Sequence, residues 1–188
     1  YCNHYRDISD IEIVENPLTK VSEDLRYQLL SSVRDRDGDT VLTAAAYRGH
    51  TELCVTLLSS LPPADRLKLI LVDGHTALHW AAYRGCTDTI SGILSCLPAD
   101  QQLQLLFTQK CDGRTALHDA AWRGHKETVK RLLDNLTPEQ QLQLLSLQNK
   151  NGRTAHMTSE HLETITILEQ YYKEAESKIY REFVKNKE

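Results

Sequence analysis

The chain contains 188 residues, of which 40% are hydrophobic, and it carries a formal charge of −4 at pH 7. This charge gives no case for general nucleic-acid binding, and no apolar run is as long as a membrane span. Residues 1–15 include Arg6, Asp7, Asp10 and Glu12, so we do not expect them to form a secretory signal.

The N-terminal part divides into two predicted segments. Residues 1–21 are expected to be an arm or a linker, because the run ends at Pro17 and its apolar spacing is mixed. Residues 22–37 are predicted to hold a capping helix and a first turn, since residues 22–30 parallel residues 137–145 position for position. This helix either caps the first complete repeat or belongs to a repeat that begins upstream.

A short cassette then recurs through the chain. Residues 113–125 read Gly-Arg-Thr-Ala-Leu-His-Asp-Ala-Ala-Trp-Arg-Gly-His, residues 74–85 are nearly the same, and residues 38–50 have Thr43 in place of the histidine. A degenerate fourth copy begins at Gly152. The leading glycines stand at positions 38, 74, 113 and 152, so the first interval is 36 residues and the next two are both 39. Such a recurring period indicates stacked structural repeats.

Each cassette has the signals of a short helix followed by a more apolar one. The threonine can cap the first helix, the paired alanines allow close packing, and a glycine such as Gly85 or Gly124 can end the helix in the left-handed conformation. One repeat cannot bury the apolar face of its second helix alone, whereas stacked repeats can. That face carries Leu53, Leu57, Leu58 and Leu61 in one repeat and Val129, Leu132, Leu133 and Leu136 in another.

Every repeat also has an added segment that predicts a short third helix. The segments begin at Pro62, Pro98 and Pro138, and proline suits the first helical position. Thr137 and Gln140 match a capping box. These helices are expected on the rim of the array, where they could also form a second binding surface.

The Thr-Ala-Leu-His-x-Ala-Ala run followed by Gly-His resembles the ankyrin repeat, whose pattern has proline where this chain has alanine. The resemblance covers residues 34–170 and implies an all-α solenoid with finger turns beside a concave face. The second finger is three residues short, which predicts a notch in the row of fingers. The predicted repeats are residues 38–73, 74–112 and 113–151, followed by a divergent repeat at 152–170.

The fourth repeat is predicted to be irregular. Aligning His161 with His125 deletes three residues, including the helix-ending glycine, so its first two helices should fuse or be joined by a tight irregular turn. Residues 171–188 are predicted to be a helical extension, because apolar residues recur on one face. It either caps the array or docks a partner or a second copy of the chain.

The ankyrin resemblance also implies which side chains face the groove. They would stack in columns of Ala44, Trp80 and Asp119, of Tyr47, Tyr83 and Trp122, and of Arg48, Arg84 and Arg123. Duplication alone could copy such columns, and arginine before the glycine also complements the helix dipole. Aromatic residues beside arginine are nevertheless typical of binding hot spots. The later fingers add Lys110, Arg114, Lys150 and Arg153.

Three functions are compatible with these residues. The favoured one is a non-catalytic scaffold module that binds a protein or peptide with acidic segments on the concave face. The alternatives are a ligand-sensing groove, in which Trp80 or Trp122 stacks a base while Arg84 and Arg123 hold phosphates, and a self-assembly unit acting through the terminal helix.

Catalysis, cofactors and metals are not expected. The chain has no nucleophile elbow, phosphate-cradling glycine loop or metal-binding His/Glu motif, and the family pattern makes His79 and His118 structural. The five cysteines, at positions 2, 54, 86, 96 and 111, are predicted to be reduced thiols in a cytoplasmic or nuclear protein. A zinc site is the alternative, but no Cys-x-x-Cys pair supports it.

Overall fold

A computed structural model describes residues 21–34, 39–72 and 75–185. The predictions for the N-terminal arm, for most of the first finger and for the notch at the second finger therefore lie outside the described residues. The described part forms helices and one isolated antiparallel bridge between Arg34 and Thr40. The helices are α1 (Glu23–Ser32), α2 (Val41–Arg48), α3 (Thr51–Ser59), α4 (Pro63–Leu71), α5 (Ala77–Arg84), α6 (Thr87–Ser95), α7 (Ala99–Phe107), α8 (Ala116–Trp122), α9 (Lys126–Leu133), α10 (Pro138–Ser146), α11 (Ala155–Thr158) and α12 (Leu162–Lys185).

The helices form a stack of repeats, which confirms the predicted all-α solenoid. The first helices α2, α5, α8 and α11 pack side by side in one row, and the second helices α3, α6, α9 and α12 pack in another. The first helices approach closely because their paired alanines are buried. These are Ala45, Ala46, Ala81, Ala82, Ala120 and Ala121.

Each complete repeat also contains the predicted third helix, namely α4, α7 and α10. The capping box is present at α10, where the Thr137 hydroxyl accepts from the Gln140 backbone N–H at 3.3 Å and the Gln140 side chain accepts from the Thr137 N–H at 3.0 Å. In α4, Arg66 donates to the carbonyls of Leu61 and Cys96, both at 3.0 Å. The third helix is thus tied to its own repeat and to the next.

Helix α1 occupies the position of such a third helix, as the sequence parallel predicted. Arg26 donates to the carbonyl of Ser60, which matches the bond from Arg66 to the next repeat. Leu29 is nevertheless 40% exposed, whereas its counterparts Leu69 and Leu144 are each 1% exposed. Helix α1 therefore covers the first complete repeat while leaving part of its own apolar face uncovered.

The helix-ending glycines allow neighbouring repeats to touch. Gly85 and Gly124 have φ of 73° and 72°, which is the left-handed region that favours glycine. A Cβ on Gly85 would lie 2.7 Å from the His125 ring, and a Cβ on Gly124 would lie 2.5 Å from the His161 ring. The alignment of His161 with His125 is therefore confirmed.

The fourth repeat contains the irregular turn that the sequence allowed. Helix α11 has four residues, and residues 159–161 separate it from α12, so the two helices do not fuse. Helix α12 has 24 residues and crosses the predicted boundary at residue 170 without a break. None of the helices in the described ranges is both long enough and apolar enough to span a bilayer.

Two histidines link successive repeats. His79 Nε2 lies 3.0 Å from the Arg114 carbonyl, and His118 Nε2 lies 3.1 Å from the Arg153 carbonyl. A carbonyl only accepts, so Nε2 carries the proton, while the Nδ1 of His79 accepts from the Thr76 hydroxyl at 2.8 Å. Burial favours the neutral ring, in which Nδ1 is the acceptor, and lowers the pKa of His79 to about 4. The structural role predicted for both histidines is confirmed.

We expect His79 to make the protein sensitive to acid. The pKa of His79 is about 4 when folded and 6.5 ordinarily, so between these values the unfolded chain binds a proton that the folded chain does not. The free energy of unfolding should therefore fall as pH falls through this window, by about 3 kcal/mol at most. Urea unfolding from pH 7.5 to pH 4.5 measures this loss.

The control for this experiment is His79→Thr, which copies the residue at Thr43. It should be less stable than the wild type at pH 7.5, because the Arg114 carbonyl loses its donor, and the difference should narrow as pH falls. His50→Gln changes an exposed ring and should leave the pH dependence of the wild type intact. If the difference in free energy of unfolding between the wild type and His79→Thr stayed the same at every pH, the acid sensitivity could not be assigned to His79.

Threonine hydroxyls also pair across the second helices. Thr51 lies 2.8 Å from Thr89, and Thr87 lies 2.9 Å from Thr128. At the last junction the corresponding residues are Lys126 and Thr164. The lysine bonds Glu163 instead, at 3.0 Å, and the buried Thr164 hydroxyl has no hydrogen-bond partner among the described residues.

Restoring this pair should stabilise the protein. We expect Lys126→Thr to be about 1 kcal/mol more stable than Lys126→Val, because only threonine offers Thr164 a hydrogen-bond partner. Valine has nearly the same shape and removes the lysine equally, so the comparison isolates the hydroxyl. Equal urea midpoints for the two variants would contradict this interpretation.

Candidate functional site

Four aromatic rings of the first helices contact one another and form what we term the aromatic row: Tyr47, Trp80, Tyr83 and Trp122. The Trp80 ring centroid lies 5.3 Å from that of Tyr47 and 6.0 Å from that of Tyr83, both edge-to-face. Tyr83 lies 5.8 Å from Trp122. Tyr47 and Trp122, at the two ends, are 38% and 40% exposed. These separations are typical of favourable aromatic pairs.

Arginines lie over the tyrosine rings of the row. The guanidinium of Arg84 lies 5.0 Å from the centroid of Tyr47, and that of Arg123 lies 4.8 Å from Tyr83. In each case an arginine reaches back to the tyrosine of the preceding repeat, which is a cation–π geometry. The structure thus places Arg84 and Arg123 of the predicted arginine column against the tyrosines of the aromatic column.

The last ring is covered in a different way. The fourth repeat lacks the segment that would supply the next arginine, and the guanidinium of Arg114 lies 4.9 Å from the centroid of Trp122 instead. Arg114 belongs to the third finger, so a finger takes over the position that a first helix fills elsewhere in the row.

Arg84 and Arg123 differ from Lys110 and Arg114 in the polar contacts of their side chains. Both side chains are exposed, and within residues 21–34, 39–72 and 75–185 neither forms a hydrogen bond or an ion pair through its guanidinium. Stacking holds a guanidinium in place while its N–H edges stay available. These two groups can therefore donate to an acceptor from outside the chain.

Lys110 and Asp119 form a buried ion pair, which corrects the expectation that both face the groove. Lys110 Nζ lies 3.1 Å from Asp119 Oδ1, and the two side chains are 5% and 2% exposed. Burial raises the pKa of the Asp119 carboxyl, against the opposing effect of Lys110 and Arg114. Because the pair is sealed from solvent, these two charges cannot meet a partner directly.

The ion pair instead connects the third finger to the first helix beneath it. Arg114 Nε lies 3.3 Å from Asp119 Oδ1 and 3.0 Å from Asp112 Oδ2. The finger is also joined to its neighbour, because the Lys150 backbone N–H donates to the Asp112 carbonyl at 2.9 Å. These contacts hold the Arg114 guanidinium beside Trp122.

The remaining predicted residues differ in exposure. Arg48 and Arg153 have exposed side chains, and Ala44 is partly buried. Sequence reasoning missed His75, whose ring centroid lies 5.4 Å from that of Trp80. A signal was present, because His75 follows Gly74 as Arg114 follows Gly113.

The indole of Trp80 is partly buried among its neighbours. Its Nε1 is buried and has no hydrogen-bond partner among the described residues, and an unpaired buried donor costs about 1–3 kcal/mol. Contacts from Tyr47, His75 and Tyr83 surround the ring. Trp80 therefore joins the rings on either side of it.

Within the described ranges, no group of three His, Cys, Asp or Glu side chains is arranged to hold a metal ion. Cys54, Cys86, Cys96 and Cys111 are free thiols. Burial raises the pKa of Cys54 to about 12, so this thiol stays protonated at neutral pH.

Comparison with known families supports the repeat assignment. A family model described as ankyrin repeats, three copies, matches residues 14–105 and 61–144. These matches together run over more than half of the chain. The comparison with curated proteins finds no match.

We expect Asp119→Ala to destabilise the protein by about 3–5 kcal/mol, because it leaves Lys110 buried without a counter-charge. The double substitution Lys110→Met with Asp119→Leu should recover most of this loss, since it removes both charges and keeps the volume. Thermal or urea unfolding measures both variants.

The control is Lys68→Ala, which breaks an exposed lysine–aspartate pair and should leave the unfolding midpoint nearly unchanged. An Asp119→Ala variant that unfolds at the wild-type midpoint would show that the buried pair has no structural importance.

Proposed function

The chain belongs to the ankyrin-repeat family, whose repeats generally mediate protein–protein interaction, and we propose that it is a non-catalytic module that binds a partner on the aromatic row. The partner is a protein or peptide held by the first helices and by the third and fourth fingers. The observation that carries this proposal is the continuous contact of four aromatic rings with three stacked guanidiniums on one exposed face.

The energetics favour the rings as the source of affinity. Tryptophan, tyrosine and arginine dominate binding hot spots, where truncation of a single side chain costs about 2 kcal/mol or more. Tyr47 and Trp122 are exposed at the two ends of the row. Their rings are already ordered by neighbouring contacts, so binding a partner costs these side chains little conformational entropy.

The charge of the face favours a partner with acidic segments. The guanidiniums of Arg84 and Arg123 donate to no acceptor within the described residues, and Arg153 is exposed on the fourth finger. Carboxylates that complement these groups would steer association and select among partners. Lys110 and Asp119 act in this proposal as positioning residues, since they hold the third finger and Arg114 in place.

A nucleotide is a weaker candidate for the same face. Base stacking needs an open aromatic face, and the ring of Trp80 is contacted by Tyr47, His75 and Tyr83. Trp122 is more exposed, but Arg114 already lies over it. Quenching of tryptophan fluorescence by one nucleotide at micromolar concentration would favour that alternative.

Affinity capture from a cell lysate tests the proposal. The wild type is compared with a triple variant carrying Trp80→Ala, Trp122→Ala and Arg123→Glu, and a specific partner should be lost only with the variant. A purified candidate should then bind the wild type at least ten-fold more tightly than the variant, since one hot-spot residue contributes about 2 kcal/mol.

The control variant is Arg181→Glu, which reverses an exposed arginine on α12, away from the row. Circular dichroism should show that all variants keep the helical fold. Equal capture by the triple variant and the wild type would remove the row as the binding site. The interaction would then belong to the third helices or to α12, whose Tyr180 and Phe183 are 69% and 55% exposed.

A further inference from the structure

One face of α1 carries apolar side chains that no described residue covers. Leu25, Leu29 and Val33 are 47%, 40% and 57% exposed, and their spacing of four residues places them on one side of the helix. We term these three residues the α1 stripe. The counterparts of Leu29 in the other third helices are buried, each at 1% exposure: Leu69, Leu105 and Leu144. The α1 stripe thus includes a position that is covered in every complete repeat.

The described chain enters α1 as it enters two of the other third helices. In α4, Arg66 Nε donates to the Leu61 carbonyl at 3.0 Å, and in α7 Gln102 donates the equivalent bond, also five residues back, at 2.9 Å. Arg26 Nη2 donates to the Val21 carbonyl at 3.0 Å, again five residues back. Val21 therefore takes the place of Leu61, the buried residue that follows the second helix α3.

The sequence before Val21 continues this correspondence. In the same register, three apolar residues stand at the buried positions of α3: Ile13, Val14 and Leu18 at those of Leu53, Cys54 and Leu58. The family model of ankyrin repeats also begins its match at residue 14, which is upstream of α1. Residues 13–20, which lie outside the described residues, therefore carry the apolar pattern that precedes a third helix in a complete repeat.

We propose that residues 13–20 of the same chain cover the α1 stripe and take the place of the second helix of an incomplete repeat. A single helix of a repeat cannot bury its apolar face alone, and this segment supplies the missing apolar side chains. Pro17 stands at the position of Leu57, and proline lacks the N–H of a helix interior. The proposal therefore specifies apolar contact with the stripe and does not require a regular helix.

The covalent connection favours this occupant over a separate partner. Leu18 precedes Val21 by three residues, so the segment is held beside α1 at a high effective concentration, and closing so short a loop costs little entropy. A second copy of the chain would have to displace it. The contact involves no residue of the aromatic row, so it goes beyond the proposed function and can fail without it.

A double-mutant cycle in the full chain tests the contact. Leu18→Ala and Leu29→Ala should each raise the local opening constant of α1 about ten-fold or more, because each removes a buried leucine side chain. The double variant should raise it about five-fold less than the product of the two single effects, since residues of one cluster are coupled. Amide hydrogen exchange of α1 measures the opening constant.

The matched control is Thr19→Ala, next to Leu18 in the sequence. Thr19 aligns with Ser59, which is exposed at the end of α3, so this change should leave the exchange of α1 as in the wild type. If either alanine variant loses its helical circular dichroism, Leu18→Val with Leu29→Val gives the same cycle with a smaller change in each side chain.

Three results would overturn the proposal. The first is wild-type exchange of α1 in Leu18→Ala, and the second is a double variant whose effect equals the product of the single effects. The third is protection of α1 that rises with protein concentration together with a dimer in analytical ultracentrifugation, which would assign the stripe to a second copy. A coupled cycle in a chain that stays monomeric would support the intramolecular contact.

Discussion

The close packing of the first helices determines most of what this protein presents to solvent. Paired alanines such as Ala81 and Ala82 are fully buried between neighbouring helices, and no larger side chain would allow the same approach. The left-handed glycines act at the helix ends, where the histidine of one repeat lies against the glycine of the previous one. Because successive repeats lie so close, rings that are far apart in sequence come within aromatic contact.

The candidate site combines contacts that recur from repeat to repeat with one contact that does not. Two arginines repeat with the array and stack on the tyrosines of the preceding repeats. The fourth repeat is too short to supply a third, and the third finger provides Arg114 instead. The position of Arg114 depends on the buried ion pair of Lys110 and Asp119, which holds the third finger against the first helix beneath it. The row is therefore partly repetitive and partly specific to this chain.

Several elements followed from local sequence signals alone. The glycine spacing predicted the stacked repeats, the proline-led segments predicted the third helices, and Thr137 with Gln140 predicted the capping box that the structure contains. The alignment of His161 with His125 also held, because the imidazole needs the space that a glycine leaves. Such signals act within one or two helical turns, so they can be interpreted without knowledge of distant contacts.

The sequence by itself thus determined the period and the helices, since these depend on local propensity and on repetition. Only the tertiary structure decided which charged side chains remain exposed to solvent. Lys110 and Asp119 are buried together while Arg84 and Arg123 stay exposed, and Trp80 links the two tyrosines instead of forming a separate column. These outcomes depend on how far a side chain reaches across a repeat junction, and that distance exists only once the repeats have stacked.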